Sequence, residues 1–206
     1  MIVKKFVTAL AALLLATSAL AYQILTPQGL MDVNFSNSEG QKPTYSAVIA
    51  DFTPAATATD MVQIRASATK TVRITNICVS GDATGNSTED IYLVKRTAAN
   101  TGGTSAAVTI TKYDSNDATP TASVVSYSVN PTGLGAGSLI AANHIAFPAL
   151  TNPTVPVGNC AFTFGTRPAR TAVLRAGTNE AISINWNGNA VPAGASLYMT
   201  IEWTEE

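Results

Sequence analysis

Charge is scarce in this chain. Only 12% of its 206 residues are Asp, Glu, Lys or Arg, about half the usual share for a soluble domain. Twelve basic residues meet 13 acidic ones, for a formal net charge of −1. That balance lacks the basic footprint of a nucleic-acid binder. It also leaves little material for surface helices, which draw on Glu and Lys. No stretch after the N-terminal apolar run carries a 3.6-residue apolar period, and no fixed-period repeat of the solenoid kind is present.

Histidine is scarcer still, with His144 alone. A Ser-His-Asp or Cys-His arrangement would have to use it. It sits in Ala142-Asn143-His144-Ile145-Ala146, and no Gly-x-Ser-x-Gly nucleophile signature accompanies it. A zinc site wants several His or Cys ligands at defined spacing, and these are missing. Two loops are rich in oxygen ligands: Asp114 to Asp117, and the stretch holding Asp82, Glu89 and Asp90. Neither has the order of an EF-hand loop, and both read as solvated loops. The expectation is no catalytic residue, no cofactor and no metal site.

What is present begins with a leader. Lys4 and Lys5 form a positive start, Phe6 to Ala16 is an apolar run, and Ala19-Leu20-Ala21 has the small-x-small pattern of a cleavage site. Residues 1–21 read as a signal peptide, with a run too short to span a bilayer. The mature chain then starts at Tyr22, is exported, and carries 10 basic residues against 13 acidic ones, or −3. No stable membrane span is expected once the leader is cleaved. Residues 22–44 lack a steady period and read as an extended arm.

From residue 45 to 206 the chain reads as one all-β domain. Strands are expected at Tyr45–Ala50, Asp60–Ser67 (half-buried), Lys70–Ser80, Asp90–Thr97, Ala107–Lys112, Ser123–Asn130, Ser138–Phe147, Cys160–Phe164 and Thr171–Arg175. Within Lys70–Ser80 the inward parity slips at Thr75-Asn76, which a β-bulge explains. The end of the chain is patterned most cleanly. Ile182, Ile184 and Trp186 share one parity, and Leu197, Met199, Ile201 and Trp203 share another. Turn residues from Asn187 to Gly194 separate them, which predicts an antiparallel hairpin with one buried face. Asn185, Asn187, Tyr198, Thr200 and Glu202 fall on its wet side. About ten short strands with frequent turn signals have the rhythm of a β-sandwich or jelly roll.

Cys78 and Cys160 are the two cysteines. An even count in an exported chain favours a disulfide, which would close a loop of about 80 residues and stabilise by roughly 4 kcal/mol. Two isolated thiols are the alternative, because Cys78 lies on the parity opposite to Ile77 and Val79. Arg167, Arg170 and Arg175 gather three of the ten mature basic residues within nine positions. With Tyr198 they form a candidate interaction surface for an acidic neighbour or a sugar acid; ordinary solvated arginines are the plainer reading.

Several stretches together carry a resemblance. They are Ala68-Thr-Lys-Thr-Val-Arg-Ile-Thr, Leu93-Val-Lys-Arg-Thr-Ala-Ala-Asn-Thr-Gly-Gly-Thr-Ser, Asp114-Ser-Asn-Asp with Tyr127-Ser-Val-Asn-Pro-Thr, Phe164-Gly-Thr-Arg-Pro, Val173-Leu-Arg-Ala-Gly-Thr and Ile201-Glu-Trp-Thr-Glu-Glu. From about Tyr45 to its end the chain resembles a group of short, mostly uncharacterised all-β proteins of tailed phages and prophages. The resemblance implies a virion-associated or surface structural domain and carries no site residues. The leader adds an exported setting, periplasmic, cell-surface or extracellular. The expectation is a non-enzymatic subunit of an extracellular or virion-like assembly, whose partners are itself or other surface or virion proteins. The rival is a secreted carbohydrate-binding, adhesin-like β-sandwich using Tyr92, Tyr113, Tyr127 and Tyr198.

Overall fold

The computed structural model describes residues 42–149, 159–165 and 170–206, with residues 159 and 160 described by backbone alone. The leader, all but the last residues of the arm, and Arg167 lie outside the described residues. Lys42–Glu206 forms one compact unit. Among the described residues it holds twelve strands and no helix.

The strands are β1 (Thr44–Phe52), β2 (Asp60–Arg65), β3 (Val72–Asp82), β4 (Ser87–Arg96), β5 (Thr104–Ala107), β6 (Ile110–Lys112), β7 (Ser123–Val129), β8 (Gly137–Phe147), β9 (Asn159–Thr163), β10 (Ala172–Leu174), β11 (Ala181–Asn185) and β12 (Ser196–Glu205). They form two antiparallel sheets. The first, sheet A, runs β10-β3-β12-β1-β6, with β9 also pairing β3. The second, sheet B, runs β5-β7-β2-β11-β4-β8. The apolar parities of both sheets meet in one core that includes Tyr45, Ile64, Ile77, Leu93, Ile184, Leu197 and Met199. This is sheet-on-sheet packing, in which alternating inward residues fill the interior.

Two tryptophans anchor that core. Trp186 and Trp203 are both fully buried. Trp203 packs on Tyr45 with ring centroids 5.9 Å apart, and Trp186 on Phe147 at 5.6 Å. Tilted aromatic pairs at these distances add to the stabilisation from area burial alone. The expected bulge is present: Glu202 pairs with Asn76 and Trp203 with Ile74, so Thr75 is the extra residue.

Three local expectations are corrected. The closing pair is not a hairpin, because β11 lies in sheet B between β2 and β4, while β12 lies in sheet A between β1 and β3. Asn187 and Gly188, both with positive φ, turn the chain out of one sheet toward the other. The expected strand Ala107–Lys112 likewise breaks at Val108-Thr109, leaving β5 in sheet B and β6 in sheet A. Finally, β2 is buried on both faces rather than half-buried, and β11 is buried throughout. Asn185 is therefore inside and not on a wet face.

Candidate functional site

The arginine cluster is where the described chain gathers positive charge around a cavity. A pocket of about 420 Å³ is lined by Lys95, Ile140, Phe164, Arg170, Thr171, Ala172, Val173 and Arg175. Its walls come from both sheets: Lys95 from β4 and Ile140 from β8 on one side, Phe164 after β9 and the residues Arg170 to Val173 leading into β10 on the other. The pocket thus opens at the rim of the sandwich. Among the described residues, three cations line it and no carboxylate does.

The local chain fixes the Lys95 ammonium and the backbone of Arg175. The Lys95 ammonium donates to the Val173 carbonyl at 2.9 Å and pairs with Glu180 at 3.0 Å. Glu180 also accepts from the Arg175 backbone N–H at 2.8 Å. The Thr178 hydroxyl donates to the Arg175 carbonyl at 2.8 Å, and Gly177 supplies the positive φ of this turn. Burial pushes the Glu180 carboxyl up, but the Arg175 N–H and the Lys95 ammonium outweigh it and leave its pKa below the ordinary value. Arg170 and Arg175 are exposed, so their guanidinium groups meet solvent. The Thr171 hydroxyl oxygen is buried and has no hydrogen-bond partner among the described residues.

Tyr198 does not join this site. It lies on β12 opposite Ser80, whereas β10 pairs with β3 at Val72–Ile74. Seven residue steps along strand β3, from Arg73 to Ser80, separate the two places by about 23 Å. Tyr198 instead stands on the outer face of sheet A, 43% exposed, donating its hydroxyl to Asp51. A bulge in β1 with positive φ at Asp51 brings that carboxylate within reach. Tyr113 stands on the same face and donates to Glu202. Each hydrogen bond to a carboxylate pushes the tyrosine hydroxyl's pKa up. Between them runs an uncharged cross-strand row, Val48, Thr200, Cys78 and Ala161. Of the other two tyrosines, Tyr127 is buried and Tyr92 is half-buried on β4 in sheet B.

The cysteines lie on neighbouring strands. Cys78 is opposite Ala161, and the Cys160 backbone is opposite Val79. Their positions are thus offset by one residue across the β3–β9 ladder. The Cys160 side chain lies outside the described residues.

His144 is exposed and pairs with Asp90 across the β4–β8 ladder at 2.6 Å. The Tyr92 hydroxyl reaches the same carboxylate at 3.3 Å. No serine, threonine or cysteine is bonded to this histidine side chain among the described residues. Nor do three His, Cys, Asp or Glu side chains come together there as a metal site.

The densest polar cluster has no signature in the sequence. It covers the outer face of sheet B. Asp60, fully buried, accepts from Arg96 Nε at 3.0 Å and Nη2 at 2.7 Å, from Asn100 Nδ2 at 2.7 Å and from Asn185 Nδ2. Gln63 donates to Ser183 and accepts from Arg65 and from the Asn100 backbone N–H. Arg65 donates on to the Tyr127 hydroxyl at 2.8 Å. Two loops, residues 97–103 and 130–136, are laddered to each other through Thr101 and Gly133 and cover this cluster. Most groups here are held by one another, so the cluster fastens a roof onto the sheet; Asn100 Oδ1 alone among its buried side-chain atoms has no hydrogen-bond partner among the described residues. Burial pushes the Asp60 carboxyl up, but the hydrogen bonds from Arg96, Asn100 and Asn185 outweigh it, and its pKa lies below the ordinary carboxylate value.

No protein-family model matches this chain, and no curated protein or solved structure does.

Proposed function

We propose that this chain is an exported, non-enzymatic structural subunit of an extracellular or virion-like assembly, and that copies join by strand addition. The observation that carries the reading is strand β8. It is the last strand of sheet B and, among the described residues, ladders only with β4. It is 11 residues long, Gly137–Phe147, without Pro, Asp, Glu, Lys or Arg. Leu139 is 58% exposed and Ile140 38%. The strands at the other sheet margins, β5, β6, β9 and β10, have three to five residues each. Natural edges are usually shortened or charged to prevent pairing. This one has only a bulge, where Ala141 pairs with Leu93 and Leu139 with Val94, so that Ile140 is skipped.

The occupant we propose is the arm of a second copy. Met31, Val33 and Phe35 alternate there with Asp32, Asn34 and Ser36, a parity suited to a half-covered added strand. Residues 22–41 precede the compact unit and span up to about 66 Å when extended, enough to reach a neighbour. The test is the size distribution of the mature chain over a concentration series, by light scattering after size exclusion. Assembly should be lost in Leu139→Lys and in a chain lacking residues 22–41. A full mature chain that stays strictly monomeric at high concentration overturns the proposal, as does an arm-deleted chain that assembles normally.

The tyrosine-platform form of the carbohydrate-binding reading has less support. Its four tyrosines are split between the two sheets: Tyr113 and Tyr198 on sheet A are tied to carboxylates by their hydroxyls, and on sheet B Tyr127 is buried and Tyr92 half-buried.

A further inference from the structure

The rim pocket is a candidate ligand site in its own right, independent of strand addition. We propose that it binds an acidic sugar, with the sugar carboxylate held by Arg170 and Arg175 and the ring lying against Phe164 and Ile140.

Four observations converge on that chemistry. The pocket volume of about 420 Å³ falls in the range of small-molecule sites. Among the described residues its lining charges are all positive, Lys95, Arg170 and Arg175, and a guanidinium offers the planar two-donor edge that matches a carboxylate. The Lys95 ammonium is already held by Glu180 and the Val173 carbonyl. Its charge is thus met within the protein, which leaves the exposed Arg170 and Arg175 as the charged donors open to a ligand. The fourth observation is the unpartnered Thr171 hydroxyl on the lining. A buried oxygen without a partner is costly, and a sugar hydroxyl is the kind of group that satisfies it. The apolar part of the wall, Phe164 and Ile140, separates a sugar acid from a bare anion. An inorganic ion would use the cations and leave that surface idle, whereas the C–H face of a pyranose covers it. The overall negative charge of the chain argues against a long polyanion following the surface and leaves a single acidic ring as the ligand that fits.

The experiment titrates the mature chain, by calorimetry or by amide shifts, with glucuronate, glucose and inorganic phosphate. Glucuronate should bind saturably, and its affinity should fall as salt is raised. Arg170→Ala and Arg175→Ala should each weaken it by about 10- to 100-fold, the loss of one charge-assisted contact. Both side chains are exposed, so their melting temperatures should match the parent and separate a binding loss from misfolding. Phe164→Ala should weaken glucuronate while leaving phosphate unaffected. Glucose binding as tightly as glucuronate, phosphate binding as tightly as glucuronate, or no saturable binding of glucuronate would each overturn the proposal. Loss of assembly in the chain lacking residues 22–41 should leave glucuronate affinity unchanged, which keeps the two proposals separately testable.

Discussion

Asp60→Asn should destabilise the fold by about 3–5 kcal/mol, the range for breaking a buried ion pair from one side. The carboxylate is fully buried, and its two oxygens accept four hydrogen bonds from Arg96, Asn100 and Asn185. An amide keeps the shape but turns one acceptor into a donor aimed at donors. It also removes the charge that neutralises Arg96, whose side chain is only 11% exposed. Against a typical total of about 5–15 kcal/mol, such a loss is a large fraction of the stability. Urea unfolding followed by tryptophan fluorescence measures it directly, because Trp186 and Trp203 are both fully buried and report the same core. Asp90→Asn is the matched control: that carboxylate pairs with exposed His144 at the surface, where a pair is worth about 0–1 kcal/mol. Equal, small effects of the two substitutions would refute the structural role assigned to Asp60. The pH dependence adds a second reading. The Asp60 carboxyl lies below its ordinary value in the fold, so its contribution is complete above the unfolded carboxylate range and is lost as pH falls through the depressed folded value. Glu205 behaves alike: burial pushes it up, but bonds from Thr121, the Ala122 N–H and Trp203 outweigh it. The parent should lose stability below about pH 4, and Asp60→Asn should lose less over that same window.

Two further outcomes follow from the core and the ladders. Trp203→Ala should cost about 3–5 kcal/mol, since the ring is fully buried, packs on Tyr45 and donates to Glu205; an unchanged melting temperature would show that the inward parity of β12 is misassigned. Thiol titration of denatured, unreduced protein should find two free thiols per chain, because Cys78 is a free cysteine and Cys160 is the chain's one other cysteine. A count of zero would instead establish the disulfide and require a shifted ladder.

Parity was the legible part of this sequence. Large apolar residues on one parity of each segment marked the buried face of β3 and β12 correctly, and the slip at Thr75-Asn76 marked a true bulge. Partner choice was not legible. A period of two states which side of a strand is apolar and is silent on which strand lies beside it. Ile182–Trp186 and Leu197–Trp203 present their apolar faces to the same core whether they form a hairpin or face each other from opposite sheets. The loop between them, Asn187 to Gly194, serves either route. The same silence hid the crossing at Val108-Thr109.

The roofed cluster escaped for a related reason. Gln63, Arg65, Ser183 and Asn185 occupy the polar parity of β2 and β11, which in isolation reads as the wet side of an amphipathic strand. Pattern records polarity and not the presence of water. The residues that exclude water, Asn100 and the 97–103 and 130–136 loops, lie about 40 positions from Asp60 or further and look like ordinary turn material. The rim pocket was half legible: the arginines were singled out by their density, but Lys95, Ile140 and Phe164 reach it from separate strands or connections.

These features give the scarcity of charge a structural meaning. At least four of the chain's 25 charged residues (12 basic and 13 acidic) are committed to interior or near-interior bonds: Asp60, Arg65, Arg96 and Glu205. Several more hold turns or carboxylate partners, as Glu180 and Lys95 do. Fewer charges then remain for the surface than even a 12% composition implies. The longest edge, β8, receives none of them over its 11 residues. A chain that can place a buried ion pair under a two-loop roof could equally carry a lysine at Leu139. Its absence leaves the edge open to pairing, and a single charge introduced there is the smallest change that should close it.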